Sequence, residues 1–241
     1  MIIAPKSFLA AGTIGVIYAI DEHHVIKILS SGDFECLAYD RETCVYTRLG
    51  YHERIAYFEL QQEGLQLERE TCLRGILQGV GGSSIPLTFK LQWAEEAADS
   101  LAYIHSKGIV HADVGCHNII LDRLGHLKFM DFSDSSIDGK APLVCYEWCS
   151  FQPGSEVGFY TDIFALGSML FELESWKVPY SELAEDLEMG TLVPTVERLF
   201  KFPSVEKLIL GNIISGCWRG MYSSMADVQK DIAACIERHM A

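Results

Sequence analysis

One short pattern constrains this chain more than any other: the run from His111 to Asn118, HADVGCHN, followed further on by an Asp-Phe pair at Asp131. Asp113 and Asn118 are five residues apart, and Asp131 follows Asn118 by thirteen residues, directly after a run typical of a strand. A carboxylate such as Asp113 can accept a proton or orient a hydroxyl group. Asn118 and Asp131 offer the hard oxygen ligands that Mg²⁺ takes beside phosphate oxygens. Alone, Asp113 could cap a turn and Asp131 could end a strand, but the pair at this spacing favours a site that handles phosphate.

The hydrophobic pattern predicts strands first and helices later. Short strands are expected within residues 7–29, 55–60, 65–68, 119–121 and 127–129, and helices in residues 34–49 and 87–106 and over most of the chain after residue 161. In the first helix, an apolar stripe is predicted from Leu37, Val45, Tyr46 and Leu49. The chain has 241 residues, is 49% hydrophobic, and shows neither an internal repeat nor an obvious linker. This order therefore indicates an α+β fold with two lobes.

The pattern around Asp113 and Asp131 resembles the eukaryotic protein kinase family, whose catalytic loop reads HRDxxxxN and whose metal-binding loop reads DFG. Residues 161–167, TDIFALG, are similar to a helix start of that family, and Cys217-Trp218 is similar to a late element. The resemblance covers nearly the whole chain, and Arg48–Ile55 is more weakly similar to small fungal kinase-like proteins. It implies one bilobal kinase-like domain over residues 1–241, with a small β-rich N-lobe (about 1–68), a hinge (about 68–72) and a larger, mainly helical C-lobe (about 73–241).

Upstream residues are similar to those that bind ATP in this family. Lys27, in Val25-Ile26-Lys27, falls on the strand that carries the ATP-binding lysine, and Glu42 falls where a helix glutamate pairs with that lysine. A single lysine charge steers the α- and β-phosphates, and a carboxylate holds its ammonium group in place. By themselves Lys27 and Glu42 would be typical of a solvated surface pair, so their position ahead of HADxxxxN carries the assignment.

Two further elements are implied by the resemblance. Residues 10–17, AAGTIGVI, are similar to the Gly-rich phosphate loop, in which Gly12 and Gly15 would let the backbone approach the phosphates. A plain hairpin turn is the alternative for this segment. Glu68 and Glu70 lie where the lobes connect, and their backbone groups would bind adenine; a charged strand end is the alternative there.

The catalytic assignment follows from the resemblance. Asp113 would orient or deprotonate the acceptor hydroxyl, with Lys27 and Asn118 as the other catalytic residues. Asn118 and Asp131 would bind Mg²⁺, and ATP would be the phosphate donor. Asp162 would brace the backbone of the catalytic loop, although it could equally be a helix N-cap.

The chain also departs from the family pattern. Gly115 replaces the lysine that contacts the transferred phosphate in Ser/Thr kinases, and the nearby His117, when neutral, is a weak substitute for that cation. Ser133 replaces the DFG glycine, and Phe151-Gln152-Pro153 stands in place of the APE element, whose partner arginine is also missing near Met221. These changes keep a pseudokinase open, that is, a nucleotide-binding or scaffolding module without catalysis.

Ala112 replaces the arginine of HRD, which in the family receives a phosphorylated activation segment. Ser135, Ser136 and Tyr146 lie in the corresponding segment and are candidates for phosphorylation. Without the arginine, no arginine-docked response to such a phosphate is expected.

The sequence therefore predicts a protein kinase, with Ser/Thr as the usual acceptor of the family, and a protein substrate. The alternatives are the pseudokinase and, less favoured because of residues 161–167, a small-molecule kinase. The net charge of −14 argues against nucleic acid and against an anionic membrane as partners. Eight cysteines without a CxxC pair indicate reduced thiols and a cytoplasmic protein, with the nucleus left open and secretion excluded.

Overall fold

The computed structural model describes residues 7–11, 15–29, 32–79, 85–143, 146–152, 154–181 and 201–240. The first part of the chain forms a five-stranded antiparallel sheet in the order β1-β2-β3-β5-β4. Its strands are β1 (Ser7–Ala11), β2 (Gly15–Ala19), β3 (His24–Leu29), β4 (Phe58–Gln61) and β5 (Gly64–Glu68). The predicted strand over residues 55–60 starts later than expected, because Ile55 forms a single parallel bridge with Phe129 instead.

Helix α1 (Asp33–Leu49) lies between β3 and β4 in the chain and contributes one buried stripe. Ala38, Glu42, Val45 and Leu49 are spaced by three or four residues, so they lie on one face, and each is at most 2% exposed. Leu37 is 50% exposed, so its assignment to the stripe was wrong. Leu37 is rotated by about 100° from Ala38, which takes its place on the buried face.

The segments between sheet and helices form short two-residue and three-residue strands. Strands β6 (Thr71–Cys72), β8 (Ile119–Leu121) and β9 (Leu127–Phe129) make one small sheet, and β7 (Ile109–Val110) pairs with β10 (Ser136–Ile137). Because β7 and β8 flank residues 111–118, both ends of the predicted catalytic loop are fixed by strand pairing.

The rest of the described chain is helical. It contains α2 (Leu73–Gly79), α3 (Leu87–Ser106), α4 (Phe159–Ser175), α5 (Gly211–Trp218) and α6 (Met225–Met240). Helix α3 has the bounds that its pattern predicts, with Leu91, Ala94, Ala98 and Leu101 buried. Helix α4 is buried on nearly all sides, as expected of the central helix of the core.

The α+β architecture with a small β-rich part and a larger helical part confirms the predicted fold class. In the described part of the chain no helix is both long enough and apolar enough to cross a membrane.

Candidate active site

The predicted catalytic loop (residues 111–118, called the catalytic loop below) is held by a buried carboxylate from α4. Asp162 accepts hydrogen bonds from the backbone N–H groups of His111 (2.8 Å) and Ala112 (3.0 Å), as the resemblance implies. It also accepts from His105 Nε2 at 2.9 Å and from the Tyr146 hydroxyl at 2.7 Å. Ala112 has a positive φ of 65°, which a non-glycine residue adopts only where its surroundings hold it. Asp162 therefore fixes the turn from which the next residue, Asp113, extends.

The structure brings Asp113 and Asn118 together. Asn118 Nδ2 donates to Asp113 Oδ2 at 2.7 Å and to the Asp113 carbonyl oxygen at 2.9 Å, which closes the loop on itself. His117 Nε2 donates to the same Oδ2 at 3.0 Å. Burial opposes ionisation of Asp113, but the hydrogen bond from His117 and the positive charge of nearby histidines outweigh it and lower the pKa of the carboxyl group. Asp113 is thus an ionised acceptor with two donors on one oxygen.

The structure also brings Lys27, Glu42 and Asp131 together. Lys27 Nζ lies 2.8 Å from Glu42 Oε2 and 3.3 Å from Asp131 Oδ1, although the three residues are on β3, on α1 and after β9. Glu42 is fully buried and the Lys27 side chain is 8% exposed. Burial opposes the charge of Lys27, but the carboxyl groups of Glu42 and Asp131 outweigh it and raise its pKa, so Lys27 is charged at neutral pH. Burial raises the pKa of Glu42 to about 7, a cost that the contact with Lys27 partly offsets.

A column of ring side chains connects the group around Lys27 with the catalytic loop. Phe58 of β4 stacks on Tyr46 of α1 with ring centroids 4.9 Å apart, and Tyr46 meets Phe132 edge-on at 4.9 Å. Phe132 in turn lies 4.9 Å from the ring of His111 in the catalytic loop. Phe132 is fully buried and follows Asp131, whose φ is 58°. Packing of Phe132 under α1 therefore turns the Asp131 carboxylate toward Lys27.

The oxygen atoms of Asp131 and Asn118 fit a magnesium ion bound together with phosphate. The Asp131 side chain is 42% exposed, and its Oδ1 accepts from Lys27 and from the Ser133 hydroxyl at 2.8 Å. The Asn118 amide nitrogen faces Asp113, which directs its oxygen away from that carboxylate. The described residues contain no cluster of three His, Cys, Asp or Glu side chains that could hold a metal by themselves. Two protein oxygens with phosphate and water completing the shell is the arrangement that Mg²⁺ prefers.

Both predicted hinge residues direct their side chains into contacts outside the group around Lys27. The Glu68 carboxylate accepts from Lys128 Nζ at 2.7 and 2.9 Å and from the backbone N–H of Tyr57 at 3.0 Å. Glu70 lies 3.6 Å from Arg123. Any role for Glu68 and Glu70 in binding adenine is thus left to their backbone groups.

The predicted phosphate loop is described only in part. Gly12 lies outside the described residues, while Gly15 is the first residue of β2 and pairs with Leu29. A Cβ atom on Gly15 would lie 2.2 Å from the carbonyl oxygen of Ile28, so the close approach of β3 requires glycine there. Gly15 therefore has a packing role, whether or not it also approaches phosphate.

Sequence reasoning missed a charged network beside Asp113. Arg74 of α2 makes two hydrogen bonds to Glu147 (2.6 and 2.7 Å) and two to Glu172 of α4 (2.7 and 2.8 Å). Glu147 Oε2 lies 3.3 Å from Nδ1 of His117, whose Nε2 contacts Asp113. Burial alone would lower the pKa of His117, but Asp113 and Glu147 raise it. Because α2 was not predicted and its partners are 73 and 98 residues away, no local pattern marks Arg74.

Helix α1 also holds the segment that follows Asp131. Arg41 Nη1 donates to the carbonyl oxygens of Ser135 (2.6 Å) and Ala141 (3.0 Å). About two turns further along α1, Arg48 makes a two-point contact with Asp138 at 2.6 and 2.8 Å. Two arginines outside the catalytic loop thus fix residues 135–141 against the helix that carries Glu42.

Comparison with known proteins agrees with this geometry. Residues 88–231 match the family model described as a protein kinase domain. The chain is 27% identical over 192 residues to serine/threonine-protein kinase kin-29 of Caenorhabditis briggsae, an alignment that covers 74% of this chain and 22% of that protein. It is 31% identical over 165 residues to a probable serine/threonine-protein kinase of Dictyostelium discoideum, covering 62% of this chain and 12% of that protein.

A third relative is the mitogen-activated protein kinase kinase kinase dlk-1 of Caenorhabditis elegans, 27% identical over 158 residues, which are 60% of this chain and 16% of that protein. The chain therefore spans less than a quarter of the length of these three curated relatives. The similarity therefore concerns a limited part of each relative.

Proposed function

Because this chain belongs to the protein kinase family, we propose that it is an ATP-dependent serine/threonine protein kinase. The observation that carries the proposal is the double contact of Lys27 Nζ with Glu42 (2.8 Å) and Asp131 (3.3 Å). It brings β3, α1 and the loop after β9 into one arrangement, as ATP binding in this family requires. The acceptor type is supported by the relatives, two of which are named as serine/threonine-protein kinases or probable ones.

Phosphoryl transfer from ATP needs positioning and charge stabilisation more than covalent help from the protein. Lys27 holds the α- and β-phosphates, and Glu42 keeps its ammonium group in place. Asp131 and Asn118 hold Mg²⁺, which neutralises charge on the phosphate oxygens. The backbone groups of Glu68 and Glu70 bind adenine.

Asp113 acts on the acceptor. Its carboxylate orients the serine or threonine hydroxyl and takes its proton while the hydroxyl oxygen forms a bond to the γ-phosphorus. The bond between the γ-phosphorus and the β,γ-bridging oxygen breaks, and ADP leaves. The lowered pKa of Asp113 supports its presence as the ionised form at neutral pH.

The remaining assignments complete the proposal. The N-lobe comprises about residues 1–68, the hinge about 68–72 and the C-lobe about 73–241, with ATP between the lobes. The partner is a protein substrate, and the acidic net charge of −14 suits a basic one. Seven described cysteines are free thiols, which supports a reducing compartment, and we place the protein in the cytoplasm.

The experiment is Mg-ATP turnover with generic protein substrates and by autophosphorylation, comparing the unmodified chain with Asp113→Asn. We expect incorporation of phosphate on serine or threonine that falls at least about 100-fold in the variant, the contribution of one positioned acid–base group. Asp227→Asn is the matched control, because Asp227 is an exposed carboxylate that accepts from Ser223 and Ser224 at the start of α6. Equal incorporation by the unmodified chain and Asp113→Asn would refute the proposal.

Thermal unfolding with ATP, with and without Mg²⁺, separates catalysis from binding. A kinase is stabilised by Mg-ATP and turns it over. A chain that is stabilised by Mg-ATP without turnover would instead be a nucleotide-binding pseudokinase.

A further inference from the structure

Gly115 and His117 share one volume in the catalytic loop. The backbone of Gly115 is extended (φ −178°, ψ 163°), a conformation open to any residue, so conformation does not require glycine there. The available space requires glycine instead, because a Cβ atom on Gly115 would lie 2.5 Å from Cε1 and 2.6 Å from Nδ1 of the His117 ring. The imidazole therefore occupies the place where a side chain at position 115 would begin.

The ring is held from both sides. On one side its Nε2 donates to Asp113 Oδ2 at 3.0 Å. On the other side its Nδ1 faces Glu147 Oε2 at 3.3 Å, and Glu147 is clamped by Arg74 at 2.6 and 2.7 Å. Arg74 is in turn fixed by the buried Glu172 of α4. Nδ1 has no hydrogen-bond partner among the described residues, so a side chain at position 115 would displace the ring from its hydrogen bond between Nε2 and Asp113.

We infer that His117 is a positioning residue, which orients the Asp113 carboxylate from the space left open by Gly115. Together with Asn118 it places two donors on Asp113 Oδ2, and among the described residues no donor to the other carboxylate oxygen, Oδ1, is recorded. That oxygen is left to receive the acceptor hydroxyl. The inference rests on the proposed kinase activity, and it explains why the lysine lost at position 115 is accompanied by a histidine two residues later.

A double-mutant cycle tests the inference. His117→Ala removes the donor, and we expect kcat to fall about 10- to 100-fold, the size of effect that misplacing a catalytic group by about 1 Å produces. Gly115→Ala should lower kcat by a similar factor, because the new methyl group displaces the ring. In the double variant the methyl group meets no ring, so its kcat should equal that of His117→Ala alone.

Three further measurements identify the role as positioning. The KM for ATP and the stabilisation by Mg-ATP should stay unchanged, because His117 contacts none of the residues assigned to phosphate binding. His117→Gln should recover part of the lost kcat, since its amide can donate to Asp113. Gly79→Ala is the matched control for the glycine change, because a Cβ atom on Gly79 meets nothing within 4 Å.

The outcomes are distinct. A His117→Ala variant with undiminished kcat, or losses from the two single changes that multiply in the double variant, would overturn the inference while the kinase activity stands. A parallel loss of Mg-ATP binding and thermal stability in His117→Ala would also overturn it, by showing a structural role. An unmodified chain that binds Mg-ATP without turnover would remove the proposed kinase activity, and this inference with it.

Discussion

Replacing Asp162 by alanine tests how the catalytic loop is held. Asp162 is fully buried and accepts four hydrogen bonds, two of them from the backbone N–H groups of His111 and Ala112. In the variant those two N–H groups remain buried without an acceptor, at about 1–3 kcal/mol each. Together the two groups cost about 2–6 kcal/mol, and the usual cost of breaking a buried charge arrangement, about 3–5 kcal/mol, lies within that range. We therefore expect the free energy of unfolding, measured with urea at pH 7, to fall by about 3–5 kcal/mol.

The loss should depend on pH in a defined direction. Burial opposes ionisation of Asp162, but the hydrogen bonds from His105 and Tyr146 outweigh it and lower the pKa of its carboxyl group. A carboxyl group with a lowered pKa in the folded state stabilises the fold above its ordinary pKa near 4, and this contribution is lost as the pH falls through the lowered value. The difference in stability between the unmodified chain and Asp162→Ala should therefore be largest near neutral pH and shrink below about pH 4.

Asp227→Ala is the control for this prediction. Asp227 also accepts several hydrogen bonds, from Ser223 and Ser224 ahead of α6, but it is exposed. Because Asp227 is exposed, we expect Asp227→Ala to lose less stability than Asp162→Ala. If Asp162→Ala lost no more stability than Asp227→Ala, or if its loss of stability grew on acidification, Asp162 would not be the group that holds the catalytic loop.

Three other changes have expected outcomes. Lys27→Met should lower turnover at least about 100-fold and weaken stabilisation by Mg-ATP. The control, Lys128→Met, removes a lysine that pairs with Glu68 and should leave turnover and stabilisation within about twofold. Equal effects of the two changes would contradict the assignment of Lys27 to phosphate binding. Ala112→Gly should leave the free energy of unfolding unchanged or raise it by up to about 1 kcal/mol, because glycine accepts a φ of 65° without strain, and a loss in urea unfolding would contradict this reason. Arg41→Ala should speed amide hydrogen exchange in residues 135–141, since it removes two charge-assisted hydrogen bonds to carbonyl groups there; unchanged exchange would show that Arg41 does not hold this segment.

The sequence predicted those elements whose pattern is long or regular. Helix α3 repeats apolar residues at helical spacing over twenty residues, and it was found with the predicted bounds. Helix α2 was not predicted, because its seven residues are too few to show a period and include Gly75. Leu37 was placed on the wrong face of α1, because residue type alone does not distinguish a buried leucine from an exposed one when alanine occupies the buried position.

The residues of the site likewise divide into those that a sequence motif marks and those that no motif marks. Lys27, Glu42 and Asp131 match motifs of the protein kinase family with fixed residue types, so the resemblance implied that they serve one site. The contact of Arg74 with Glu147 and Glu172 could not, because it joins residues 73 and 98 positions apart and belongs to no motif. An ion pair of this kind is specified by the folded geometry, and any of the 33 acidic residues of the chain was formally a candidate partner.

In the segment after Asp131, other contacts take the place of those that an arginine at position 112 would make. The three hydroxyl groups that were candidates for phosphorylation are all buried: Ser135 is 0%, Ser136 7% and Tyr146 6% exposed. Each is also used inside the fold, the hydroxyl of Ser135 on the His111 carbonyl, that of Ser136 on the Lys140 carbonyl and that of Tyr146 on Asp162. None is presented to another kinase without local opening.

The contacts that order this segment are therefore made without a phosphate group. Arg41 is 9% exposed and binds two carbonyl groups, so its contribution is shielded from solvent, whereas the pair of Arg48 with Asp138 is exposed and is screened by water and salt. A phosphate on Ser135 would add about two negative charges at a buried hydroxyl and would remove its hydrogen bond to the His111 carbonyl oxygen. Ser135→Glu should accordingly destabilise the fold and lower turnover, and a variant that became more active would show that this segment is switched by charge after all.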